Sequence, residues 1–255
     1  MSKIEYIGKC LLVEVADRRI LAVGDLHLGY EEALNIAGVG RRLFGEMMLD
    51  FEEIFSKVGE VDEVVLLGDV KHVFGTILGQ EREDFRRLLE FFGEKCGKVV
   101  IVQGNHDAIV GFLIRETERT FGSRGAQERS VLDETEVRDF YCVGDVCFLH
   151  GDKDFEQIHG EEVKMWVIGH AHPAIVLEEG VKAEKYKCFL EGMWEGKKIV
   201  IVPSFSRHSE GSDVRNSDLG LAWDMNRSKF KVHVVDEGLK TLDFGELWGL
   251  YRELA

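Results

Sequence analysis

Residues 98–108 read KVVIVQGNHDA. A short aliphatic run leads to a glycine, and the glycine to an amide, an imidazole and a carboxylate. Unbroken Val and Ile over so few residues fit a strand buried on both faces. The glycine lets the backbone turn sharply and come close to a bound species. The same grammar recurs on either side. RILAV (19–23) ends at Gly24-Asp25-Leu26-His27, and EVVLL (63–67) at Gly68-Asp69. VCFL (146–149) ends at His150-Gly151-Asp152, and MWVI (165–168) at Gly169-His170-Ala171-His172. Helical patterns near residues 44–58 and 80–95 separate the first three runs. Strand, helix, strand, helix, strand is the order of a mostly parallel sheet.

The second half reads as sheet with little helix. Residues 137–149 are expected to form a hairpin turning at Gly144-Asp145, with strands following at 164–168, 174–178, 184–191, 197–203, 219–224 and 230–235. Two packed sheets with helices outside give the expected fold, a four-layer α/β/β/α sandwich of two mixed sheets flanked by helices. No Pro/Ser-rich linker divides the chain, so residues 1–255 are read as one domain.

Composition narrows the function. The chain has 255 residues, 45% hydrophobic and 31% charged, with two prolines, which excludes a disordered or collagen-like protein. A net charge of −15 counts against a general nucleic-acid coat protein, yet permits a phosphate substrate if metal supplies local positive charge. No apolar run reaches the ~18 residues of a spanning helix, and Glu5 interrupts what a signal peptide would keep apolar. Five cysteines without metal-type spacing point to a reducing, cytoplasmic setting; Cys142 and Cys147 flank the hairpin turn, but a disulfide there is not the default. Four Asn and four Gln beside many Glu and Lys suggest a thermophilic source, a hypothesis that a melting midpoint near ~50 °C would count against.

In open α/β sheets ligands bind at the carboxyl ends of strands, where all five clusters fall. Asp25, His27, Asp69, Asn105, His150, His170 and His172 offer oxygen and nitrogen donors and no thiolate. That set suits divalent Mn, Fe, Zn, Co or Ni. Seven ligands exceed what one catalytic ion with an open position can use, and suit two ions bridged by a carboxylate. On an extended segment Asp25 and His27 point to one side, as do His170 and His172.

The order Asp-x-His, Gly-Asp, Gly-Asn-His-Asp, lone His, Gly-His-x-His over residues 20–175 resembles the calcineurin-like metallophosphoesterases. The resemblance implies one ion on Asp25, His27 and His172, a second on Asn105, His150 and His170, and Asp69 bridging both. It implies hydrolysis of phosphodiesters by a hydroxide held between two metal ions, manganese foremost. His106 would be the acid for the leaving oxygen, with Asp107 orienting it; Asp107 could instead cap the helix that begins near Ala108. No ligand position departs from the pattern. Asp25-Leu26-His27-Leu28-Gly29, Lys71-His72, Pro203-Ser204-Phe205 and Gly211-Ser212-Asp213 are similar to a subgroup of archaeal proteins related to the SbcD nuclease and bacterial ligase-associated phosphoesterases.

The substrate is therefore expected to be a small diester or a short nucleic acid, with no membrane partner and no protein partner indicated. The alternatives are a manganese-dependent DNA nuclease of repair, and a non-enzymatic scaffold, which the full ligand set disfavours. His72, three residues after Asp69, and His208, in a polar loop, are candidates to meet substrate; His159 and His233 read as helix surface and strand. The mixed charges of residues 115–138 read as a solvated face.

Overall fold

The computed structural model describes residues 2–33, 42–121, 134–179, 182–215 and 218–253. The first sheet runs β1 (Lys3–Ile7), β2 (Cys10–Val15), β3 (Arg18–Val23), β4 (Val61–Leu66), β5 (Cys96–Val102), β6 (Thr135–Arg138) in that spatial order. The first three strands are antiparallel neighbours; β3 to β6 are parallel. Between them lie α1 (Tyr30–Ala33), α2 (Arg42–Val58), α3 (Gly79–Gly93) and α4 (Val110–Phe121). In α2, Phe44, Met47, Phe51, Ile54 and Phe55 recur at helical spacing and are buried. With Phe85, Leu88 and Phe92 of α3 they cover Leu21, Val23, Val64, Leu66, Val99 and Ile101 on the outer face of the sheet. Each such ring contributes roughly 1.5–3 kcal/mol by burial.

The second sheet is built from β7 (Tyr141–Val143), β8 (Val146–Leu149), β9 (Met165–Ile168), β10 (Pro173–Glu179), β11 (Lys182–Trp194), β12 (Lys197–Ile201) and β13 (Ser212–Asp213), with β14 (Lys231–Val235) and β15 (Thr241–Glu246) pairing off β11. Its order is β13-β10-β11-β12-β9-β8-β7, and β8, β9 and β12 are parallel. Side-chain alternation sends Leu11, Val13, Ile20, Ala22, Val65, Leu67, Val100 and Val102 inward to meet Val146, Phe148, Met165, Val167, Phe189 and Val200. The opposite face of the second sheet packs on Ile158 of a short 3₁₀ turn, Trp223, and Leu247 and Leu250 of α5 (Leu247–Glu253). The result is a mixed α/β fold of two mixed sheets between helices.

Register brings the motif-bearing strands to a common edge. Val23 pairs with Leu66 and Leu66 with Ile101, while Leu149 pairs with Ile168 and Ile168 with Ile201. A lone bridge, Gly24 to Ser204, joins the two edges.

Three expectations change. The predicted hairpin 137–149 is divided: β6 joins the first sheet, and only β7–β8 form the hairpin, because the chain crosses between layers at Asp139-Phe140. Residues 219–224 form no strand; Gly220 takes φ +68° and Ala222 N–H donates to the Gly151 carbonyl (2.9 Å), making a loop beside His170. Cys142 and Cys147 face each other across β7–β8 and are joined as a disulfide, against the expectation of free thiols. Residues 122–133 of the mixed-charge stretch, with Arg124 and Arg129, lie outside the described residues. Strands β1, β2 and β15 and helix α5 had no counterpart in the sequence reading. No helix among the described residues is long and apolar enough to cross a membrane.

Candidate metal centre

Each candidate ligand stands just past a strand end. Asp25 and His27 follow β3, Asp69 follows β4, Asn105 follows β5, His150 follows β8, and His170 and His172 follow β9. Nine non-glycine residues among those described have positive φ, and five of them are in this group: Asp25 (33°), His27 (49°), Asp69 (48°), His170 (62°) and His172 (44°). Left-handed backbone on such residues costs roughly 1–3 kcal/mol each and clusters at functional sites. Gly104 is required here for space: a Cβ on it would lie 2.4 Å from both the Asp69 amide nitrogen and Oδ1.

The structure gathers two groups of donors. Ligand atoms of Asp25, His27 and His172 lie within 4.8 Å of one another, and so do those of Asp69, His150 and His170. His172 Nε2 is 3.2 Å from Asp25 Oδ1. Asp69 lies between the groups, with Oδ1 3.6 Å from His150 Nε2 and Oδ2 4.0 Å from His27 Nε2.

The donor chemistry fits cations. The His150 Nδ1 proton is directed at the Leu67 carbonyl (2.7 Å), so in the neutral ring Nε2 carries a lone pair. That lone pair meets Asn105 Oδ1 at 3.0 Å and His170 Nδ1 at 3.0 Å, with Asp69 Oδ1 behind. Acceptors converging on buried space call for positive charge among them. His27 Nδ1 is buried with no hydrogen-bond partner, so its proton or lone pair is likewise unanswered by protein.

Burial dominates the titration. It pushes the Asp69 carboxyl up to about 6, the Asp25 carboxylate adding to the effect and His150 opposing it. Burial also holds the His27 imidazole down to about 3 and lowers His170. For Asp25 burial pushes upward, but the His172 hydrogen bond and the surrounding imidazoles outweigh it and hold the carboxyl low. Burial opposes charge on His150 too, yet Asp25 and Asp69 raise it.

The pH dependence of metal uptake follows. A raised carboxyl means that the metal-free fold binds a proton the unfolded chain has lost, so this stabilisation is full below about 4 and fades as pH rises through 6. Metal must displace that proton. Uptake should therefore weaken as pH falls through 6, and metal should raise the melting temperature more at pH 7.5 than at pH 5. Calorimetry in buffers of differing protonation enthalpy should count proton release at pH 5; none there would remove Asp69 from the centre.

Around the donors lie the other residues singled out. His106 N–H donates to Asp69 Oδ1 (2.9 Å), and its Nε2 is 3.9 Å from Asp69 Oδ2. His106 Nδ1 lies 2.6 Å from the His72 carbonyl, which only accepts, so Nδ1 carries the proton. Asp107 neither orients this ring nor caps α4 with its side chain. Its buried carboxylate accepts from the amides of Gly104, Val70 and Lys71, tying the β5 loop to the β4 loop. The expectation for Asp107 is corrected accordingly: orientation passes to the His72 main chain. The His72 and His208 rings stand 5.6 Å from His27, centroid to centroid, so both border the centre.

Sequence reading missed Ser209, whose hydroxyl is 2.9 Å from His172 Nδ1, Tyr30, which stacks on His208 at 3.5 Å, and Phe74, 3.8 Å from His106. It also missed Lys187, half-buried, whose ammonium donates to the carbonyls of Ser204 and Ser206 and is pushed well down by desolvation. None of the four sits beside a ligand in sequence, so spacing carried no signal for them.

Among solved structures the chain resembles the nuclease MPE of Pseudomonas putida, at 19% identity and a TM-score of 0.53, covering 96% of this chain and 100% of that one; the likeness is one of fold. A double mutant of Vps29 from Entamoeba histolytica is 14% identical, covering 89% and 99%, with a TM-score of 0.35. The wild-type Vps29 of that organism, complexed with zinc, is 15% identical, covering 89% and 99%, with a TM-score of 0.34. No curated protein sequence matches. The model of the calcineurin-like phosphoesterases matches residues 18–234, which takes in every strand-end cluster described above, and the chain belongs to that family.

Proposed function

We propose that this metal-dependent phosphoesterase hydrolyses phosphodiesters at a two-ion centre, with His106 as the acid, working within one domain of residues 1–255. The observation that carries the reading is the pair of donor groups sharing Asp69 within reach of a histidine whose Nδ1 is already held. Asp25, His27 and His172 would hold one divalent ion and Asn105, His150 and His170 the other; bound there, they would supply Lewis acidity toward phosphoryl oxygens and water. Manganese is the first ion to test.

The chain's own groups do the rest. Hydrolysis adds a water oxygen to phosphorus and breaks the ester P–O bond. Protonated His106 gives its Nε2 proton to the departing oxygen, and the His72 carbonyl steadies the imidazolium through Nδ1–H. An alkyl ester suits this arrangement because its leaving alkoxide needs a proton. Phosphoryl transfer depends mainly on positioning and electrostatics, which a preformed acid and seven fixed donors supply.

The test is metal analysis with turnover of bis(p-nitrophenyl) phosphate, p-nitrophenyl phosphate, cyclic nucleotides and short single-stranded DNA in added manganese. Metal-dependent turnover favouring the diester is expected. No hydrolysis with any metal would end the reading. Cleavage of DNA with small diesters untouched would move it to a nuclease.

A further inference from the structure

We propose that Phe74 sets specificity by stacking on a nucleobase carried by the leaving group; the inference rests on the phosphodiesterase reading above. Phe74 is 58% exposed, yet its ring lies 3.8 Å from that of His106, at an interplanar angle of 34°. An apolar ring left in water gains little for the fold. Here it flanks the imidazole that meets the departing oxygen, so whatever that oxygen carries passes beside it.

The platform is held in place. Lys71 and Glu81 are fully buried, 3.6 Å apart, and the Lys71 ammonium also reaches the Val73 carbonyl. The His72 amide donates to Glu81 Oε1 (3.1 Å), and Thr76 N–H to the Phe74 carbonyl (2.9 Å). The segment that holds the acid through the His72 carbonyl thus also presents Phe74. Rings continue inward: His72 lies 6.0 Å from His106, Tyr30 lies 4.9 Å from His72, and His208 stacks on Tyr30.

An aromatic ring at such a place can hold a flat base or an alkylammonium group. The rings of Phe74, His106 and His72 lie within 34° and 20° of parallel in turn, a pile of flat faces that a base extends and an ammonium does not. The leaving group is therefore a nucleoside.

The experiment compares dinucleotides that carry a base on the departing nucleoside with abasic counterparts, in both chain polarities, for wild type, Phe74→Leu and Phe74→Ala. Wild type should favour the base-bearing substrate in kcat/KM by about 10-fold, within the range one base–aromatic stack represents. Both variants should lose that preference and keep abasic turnover within about twofold. Non-hydrolysable methylphosphonate analogues, titrated by calorimetry, should show the same preference in affinity. An equal fall on both substrates would make Phe74 a prop for His106 and overturn the proposal, as would an unchanged preference. If wild type hydrolyses no diester, the functional reading fails, while the methylphosphonate titration still decides for or against Phe74.

Discussion

Replacing Asp69 with alanine should strip the centre of metal and abolish diester hydrolysis. Its two oxygens face both donor groups, at 3.6 Å from His150 and 4.0 Å from His27. Without that carboxylate, two cations would share a pocket with less charge to separate them. The loss should exceed the ~10–100-fold seen when an outer partner of a metal ligand is removed. The metal-free variant should be no less stable than metal-free wild type at pH 7.5, because burial of that carboxylate opposes its charge there. Elemental analysis and thermal melting decide both points. Full two-ion occupancy in the variant would show that Asp69 does not bridge.

Replacing His106 with alanine should leave metal content intact and slow turnover by about 10²–10⁴-fold. The ring makes no hydrogen bond to the donor groups, its Nε2 standing 3.9 Å from Asp69 Oδ2, and alanine keeps the main-chain N–H that bonds Asp69. The loss should depend on the leaving group. A p-nitrophenolate departs without help, so its rate should fall least, whereas an alkoxide should show the full effect. Equal losses across leaving groups would assign His106 to binding rather than proton delivery, and no loss would remove it from the mechanism.

The strand-end clusters were legible because each lies beside its strand in sequence. The extended backbone expected at Asp25-His27 and His170-His172 is not what places them: all four have positive φ, Asp25 and His27 share one donor group, and His170 and His172 divide between the two. Legibility failed where position depends on a segment distant in sequence. The Tyr30–His208 and Phe74–His106 contacts join loops far apart in sequence. Asp107 was misjudged because its sequence neighbour is His106, while its spatial neighbours are amides of the β4 loop. Residues 219–224 look like a strand in composition, but Gly220 bends them, and a Cβ there would lie 3.2 Å from His170 Nε2. The short edge strand β1, with alternate residues exposed, carried too weak an apolar signal to be noticed.

The candidate ligands come from both layers: Asp25, His27, Asp69 and Asn105 from one, His150, His170 and His172 from the other. Bound cations would then act as rivets through two plates that otherwise adhere by greasy contact and a few hydrogen bonds, such as Phe205 N–H to the Gly24 carbonyl and His150 to the Leu67 carbonyl. Chelation should loosen the joint rather than a single loop, with amide hydrogen exchange accelerating together at the tips of β3, β4, β8 and β9. Acceleration confined to one plate would mean that the halves hold their alignment unaided.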